Sequence, residues 1–160
     1  MTISIRVARM SDAECIRELT SQLGYEVDVP TVVKRLSRIL SRSDQQFIVA
    51  ELDDSLGGWV HAAIAEYIES ERFVTIGGLV VDKNHRKKGI GRRLMEHVEG
   101  WAKEQGCSIV RLWSSSTRTT AHRFYEILGY TNLKTQYSFI KCLDDAQQYD
   151  VQKFVPKVDQ

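Results

Sequence analysis

Apolar and polar residues alternate from Ile3 to Ala8, with Ile3, Ile5 and Val7 on one side, which is the two-residue period of a half-buried strand. Ser11 stands three residues before Glu14 and predicts a capping box. The helix behind it should bury Ile16, Leu19 and Leu23 and stop at Gly24. A second helix is expected from about Pro30–Thr31, with Val33, Leu36 and Leu40 on its apolar face. Its other face carries Lys34, Arg35, Arg38 and Arg42, expected to be solvated. Phe47 to Leu52 reads as a strand, and Asp53 to Gly58 has the residue types of a hairpin turn. Trp59 to Tyr67 and Phe73 to Val81 read as two further strands joined by the charged loop Glu69 to Arg72. The stripe Ile90, Leu94, Val98, Trp101 and Ala102 predicts an amphipathic helix that ends at Gly106. Ile109 to Trp113 should form a strand and Thr119 to Leu128 a helix closed by Gly129, and Tyr130 to Leu143 should supply one or two final strands. This order, β-α-α-β-β-β-α-β-α-β(β), implies an α/β (α+β) fold with a mixed sheet flanked by helices.

A chain of 160 residues suits one domain with a real core. We expect that domain at 1–143, with a polar C-terminal tail at 144–160. The formal net charge of +1 gives no global reason to expect a nucleic-acid partner. Cys15, Cys107 and Cys142 are widely spaced with no Cys-x-x-Cys pair, which fits reduced thiols in a cytoplasm better than a disulfide framework or a zinc site. No stretch approaches the roughly 18 apolar residues of a membrane span, and the N-terminus lacks a signal-peptide core. A cytoplasmic location with no membrane, nucleic-acid or metal partner is therefore expected, and a homodimer is allowed.

The chemistry concentrates in Gly77-Gly78-Leu79-Val80-Val81-Asp82-Lys83-Asn84-His85-Arg86-Lys87-Lys88-Gly89-Ile90-Gly91-Arg92-Arg93-Leu94. A buried strand ends, a basic loop follows, and two glycines open a helix. The first amides of a helix have no internal partner and sit at the positive end of its dipole, so this is an anion site suited to a pyrophosphate. Gly89 and Gly91 remove Cβ atoms from the approach, while Arg86, Lys87, Lys88, Arg92 and Arg93 add charge. A Walker loop would need Gly-Lys-Ser/Thr, but Lys88 precedes Gly89. A dinucleotide fingerprint would need a third glycine where Leu94 stands.

The longer pattern from Val81 through Arg86 to Gly91 resembles the coenzyme A-binding signature of the GNAT superfamily of N-acetyltransferases. Ala121-His122-Arg123-Phe124-Tyr125-Glu126-Ile127-Leu128-Gly129-Tyr130 resembles the same superfamily's late motif, Ala-x-x-Phe-Tyr-x-x-x-Gly-Phe/Tyr, and follows at the expected distance. Ser114 to Ser116, Ala121 to Tyr125 and Phe139 to Leu143 look like the aminoalkylphosphonate N-acetyltransferase branch. The resemblance implies a sheet of six to seven strands with about four helices, splayed between its fourth and fifth strands. It implies acetyl-CoA as cosubstrate and transfer of the acetyl group to a primary amine by direct attack through a tetrahedral intermediate. Leu79, Val80 and Val81 would pair with the pantetheine arm and offer amides to the oxyanion. Arg86, Lys87, Lys88, Gly89, Ile90, Gly91 and Arg92 would hold the phosphates. Arg118, Ala121 and Tyr125 complete the expected cofactor contacts, Tyr125 as general acid to the leaving thiolate.

Two departures stand out. Gly78 occupies the place where many relatives carry a glutamate base, so Glu66, one strand earlier, is the substitute candidate, with proton loss through ordered water as the other route. Arg118 replaces a frequent asparagine. The acceptor is expected near Gly24 to Val29 and Tyr67 to Arg72, where Glu26, Asp28, Glu66, Glu69 and Glu71 would suit a cationic amine. An aminophosphonate would instead want cations such as Arg118 or Arg123. The alternatives are a catalytically degenerate acyl-CoA sensor, or an enzyme whose acceptor is a protein amine.

Overall fold

A computed structural model describes residues 2–143. Five strands form one sheet in chain order: β1 (Ile3–Val7), β2 (Gln45–Leu52), β3 (Ser55–Ala65), β4 (Phe73–Val81) and β5 (Val110–Arg111). The first four run antiparallel, and β5 joins β4 in parallel. Helices α1 (Ala13–Gln22), α2 (Val29–Leu40), α3 (Ile90–Glu104) and α4 (Thr119–Ile127) complete the described elements. The chain divides into two compact units. The first, 1–22 and 26–113, holds the whole sheet with α1 to α3. The second, 23–25 and the chain from Ser114, holds α4.

In the first unit, successive residues of a strand face opposite sides, and β3 shows it. A Cβ on Gly58 would lie 3.4 Å from Ile90 of α3, whereas Trp59 and His61 line a cavity with α1 and α2. Two helices therefore cover one face and α3 covers the other. The expected α3 stripe is buried as read, and Met95 joins it. Each such side chain contributes about 1.5–3 kcal/mol, and Phe73, Ile48 and Leu94 are wholly enclosed.

Several expectations need correction. The sheet has five strands rather than six to seven, because Tyr130 to Leu143 forms none among the described residues. Its Leu133, Tyr137 and Phe139 are exposed. Alternation names the face a strand would bury, but a ladder also needs a neighbour's edge. The first helix does not open on a Ser11–Glu14 box. Asp12 takes that role, accepting from the Arg9 amide at 2.7 Å at the head of a short 3-10 turn, while Glu14 pairs with Arg17 at 2.9 Å. On α2 the buried residues are Val32 and Leu36, and Val33 is exposed. The helix starts one residue early, at Val29, because the Asp28 carboxylate accepts from the Thr31 amide at 2.8 Å. The expected tail at 144–160 lies outside the described residues.

Candidate active site

The end of β4 and the start of α3 are joined by a loop whose shape is fixed from several sides. Asp82 accepts from the Asn84 amide at 3.0 Å and meets His85 Nδ1 at 3.2 Å. Gln22 of α1 accepts from the Lys83 amide at 2.9 Å. Lys87 then takes a left-handed conformation (φ 62°), as does Gly89 (φ 83°), the residue that caps α3. Space around Gly89 is open, so its backbone angle, and not crowding, requires glycine there. As a glycine it offers no side-chain cap, and the first intrahelical bond after it is Arg93 N–H to Gly89 O at 3.1 Å. The amides of Ile90, Gly91 and Arg92 thus stand without helical partners at the positive end of a 15-residue helix. Arg86, Lys87 and Lys88 are exposed, and Arg92 contacts Glu96 at 3.8 Å. Arg93 is engaged elsewhere: its guanidinium donates to Ile3 O at 2.6 Å and ties α3 to β1.

The β4 strand has an open edge beside this loop. Its ladder with β5 contains only Val74–Val110 and Thr75–Arg111. From Ile76 to Val81, no strand among the described residues pairs with that side. Leu79, Val80 and Val81 lie on this open stretch, as a main-chain docking edge requires.

On its other side β4 pairs with β3, and the register breaks between His61 and Ala62. His61 faces Gly78 while Ala62 faces Ile76, so Gly77 is the extra residue of a bulge. Two adjacent glycines suit such a bulge, which needs a close backbone approach. The bulge turns both glycines toward the Trp59–His61 face: a Cβ on Gly77 would lie 2.9 Å from His61 Nδ1, and one on Gly78 would lie 2.8 Å from Trp59 Cη2. Each missing side chain makes room for a ring. Any side chain at Gly78 would have to share its space with the Trp59 indole.

Those rings floor a cavity of about 220 Å³. Phe47 stacks at a tilt on Trp59 (centroids 4.9 Å apart) and lies 5.8 Å from His61. Ile16 and Thr20 of α1 and Leu36 and Arg35 of α2 form the walls. Among the described residues lining it, Arg35 carries the one full charge and there is no carboxylate. The acids expected to draw a cationic amine are elsewhere: Asp28 caps α2, Glu71 meets the Ser108 hydroxyl at 3.4 Å, and Glu26, Glu66 and Glu69 are exposed. Sequence reasoning passed over Trp59 and His61 and left Arg35 on a solvated helix face. The alternation of Trp59 and His61 on one face of β3 was visible, but their place opposite two glycines depends on the bulge.

In the second unit α4 presents Tyr125, whose ring meets Phe124 edge-on at 5.1 Å and Tyr130 at 5.9 Å. Burial pushes its phenol above the ordinary value of 10.0, with Arg118 acting against the shift, so at neutral pH it keeps its proton. His122 Nε2 lies 2.8 Å from Ser115 O, which also accepts from the Arg118 amide at 3.0 Å. Arg118 Nε is buried without a partner among the described residues. Ala121 sits half-buried on the same helix.

A half-open strand edge thus leads into a glycine-capped helix, beside a cavity floored by aromatic rings. The model of the acetyltransferase (GNAT) family matches residues 13–130, and the chain belongs to that family. It is an acetyl-CoA-dependent N-acyltransferase, with acetyl-CoA as cosubstrate. An uncharacterised N-acetyltransferase of Bacillus subtilis (strain 168) is 27% identical over 114 residues, 71% of this chain and 80% of that protein. The streptothricin acetyltransferase of Streptomyces lavendulae is 27% identical over 157 residues, covering 81% and 82%. The crystal structure of glucosamine-6-phosphate N-acetyltransferase from Arabidopsis thaliana superposes with a TM-score of 0.76 at 26% identity, covering 90% of this chain and all of that one.

Proposed function

We propose that this enzyme acetylates the primary amine of a small molecule with an apolar body, held over Phe47 and Trp59. The cavity carries this reading. An aromatic floor with no carboxylate favours an apolar acceptor over a polycation, since unpaired ammonium groups are costly to desolvate. Arg35 at the wall suits an acceptor that also bears an anion. An amino acid with an apolar side chain meets both conditions. So does an aminoalkylphosphonate with an apolar substituent, and the likeness to that branch keeps phosphonates in view.

In this reading the pyrophosphate rests on the amides of Ile90, Gly91 and Arg92, with Arg86, Lys87 and Lys88 around it, and Gly89 leaves the approach open. The pantetheine arm runs along Leu79, Val80 and Val81. Arg118 and Ala121 contribute to the same substrate's binding. The amine nitrogen forms its bond to the thioester carbonyl carbon, main-chain N–H groups of the 79–81 stretch support the oxyanion, and the C–S bond breaks. The departing thiolate takes the proton of the Tyr125 hydroxyl, and a proton leaving the nitrogen restores the phenol.

Thiol release from acetyl-CoA over an amine panel tests this. Phenylalanine-like and leucine-like amino acids and apolar aminophosphonates should be turned over faster than aminoglycosides. A preference for polyamines or aminoglycosides, or for lysine side chains of proteins, would refute it.

A further inference from the structure

Aminolysis needs a neutral nitrogen, and an amine arriving as ammonium must first give up a proton. β4 (FVTIGGLVV) carries no carboxylate and no imidazole, so the acceptor of that proton has to come from another element. His61 is the one imidazole on the cavity. Its Nε2 lies 2.8 Å from Gln45 Oε1, and a carbonyl oxygen only accepts, so Nε2 carries the hydrogen and Nδ1 keeps the lone pair. Nδ1 is also the ring atom nearest the bulge, 2.9 Å from where a Gly77 Cβ would be. Nδ1 therefore lies beside the bulge, on the sheet face that floors the cavity.

From these positions we infer that His61 is the catalytic base, taking a proton from the acceptor ammonium at Nδ1, and that Gln45 is the positioning residue that sets its tautomer. The inference rests on the proposed amine acetylation. The step balances: ammonium gives one proton to His61, the freed lone pair makes the C–N bond, and the proton on His61 leaves to solvent. The second nitrogen proton ends on the thiol by way of Tyr125.

Burial holds His61 below its ordinary value of 6.5, so it is neutral and able to accept at pH 7. The elements around it offer little else that titrates. α1 presents Ile16 and Thr20, β2 presents Gln45 and Phe47, and β4 presents its glycines. α2 presents Arg35, the one charged group on the cavity. Glu66 is less well placed. It follows the end of β3, five residues beyond His61, which is roughly 16 Å along an extended chain, and it is exposed.

The test is the pH dependence of kcat/KM for an accepted amine, on wild type, His61→Gln, Gln45→Met and Glu66→Gln. Wild type should be nearly flat from about pH 7 to the amine's own pKa and fall on the acid side below 6.5, as Nδ1 protonates. His61→Gln should lose about a hundredfold in kcat and rise about tenfold per pH unit instead, because only amine that is already neutral then reacts. Its affinity for coenzyme A, measured by calorimetry, should match wild type, which establishes that it is folded. Gln45→Met should lose several-fold in kcat while the imidazole remains. A wild-type profile kept intact in His61→Gln overturns the inference and leaves the acetylation reading standing. So does the loss appearing in Glu66→Gln instead. Absence of turnover by wild type with every amine overturns both.

Discussion

Placing a side chain at position 78 measures how tightly the bulge and the indole are fitted. A Cβ there would stand 2.8 Å from Trp59 Cη2 and 2.9 Å from Cζ3, against about 3.5–4.0 Å for comfortable carbon contacts. The ring has to retreat by nearly an ångström, yet it is 7% exposed and has Phe47 behind it at 4.9 Å. Gly78→Ala should therefore destabilise by about 2 kcal/mol, inside the usual range for overpacking. For a chain of this length that is roughly 4–8 °C in Tm. Trp59→Phe removes the far end of the indole and should cost about 1–2 kcal/mol by itself. The double variant should be less damaging than the sum, by at least 1 kcal/mol, because the new methyl then enters space the indole has left. Urea unfolding followed by far-UV circular dichroism reads all three. If the two costs add to within about 0.5 kcal/mol, Gly78 and Trp59 do not compete for space and the account of their packing fails.

Three other outcomes follow from the geometry. Burial tends to raise Asp12, but its bonds from Arg6 (2.8 and 3.0 Å) and from the Arg9 amide outweigh this and hold it below its ordinary value. Arg6→Met should then cost about 2–3 kcal/mol at pH 7. The contribution is present above the unfolded-state pKa and disappears as pH falls through the folded one, so variant and wild type should begin to converge in urea melts only as the pH drops below 3.8. Gly89→Glu puts a carboxylate and a strained φ at the head of α3, and calorimetry should show coenzyme A affinity lowered at least tenfold, about 1.4 kcal/mol. Tyr125→Phe should lower kcat by about a hundredfold with little change in KM for acetyl-CoA, in steady-state thiol-release assays.

Much of this arrangement was legible in the residues. The stripe from Ile90 to Ala102 has a period strong enough to fix an element and its buried face, the apolar run Phe73–Val81 marks a strand, and the glycine at 89 marks the turn that caps α3. What escaped depends on pairing. Gly77-Gly78 hinted at a bulge, but nothing local says that the extra residue falls opposite His61, nor that Trp59 then fills the side chain's place. The acids at 26, 28, 66, 69 and 71 suggested a cationic acceptor by charge, while the cavity took its character from Phe47 and Trp59, whose meeting depends on strand register. One or two strands were expected at Tyr130 to Leu143, but a local sequence cannot reveal whether a partner edge exists.

The central claim is that the amine acceptor sits on the Phe47–Trp59–His61 floor. Its most direct test is an ¹⁵N-correlated spectrum of the three indole N–H groups during titration with an amine the enzyme acetylates. The Trp59 resonance should shift saturably, with the His61 ring signals, while that of Trp101, buried on α3, stays still. An amine that is turned over yet leaves Trp59 and His61 unmoved at saturation would place the acceptor elsewhere and contradict the account.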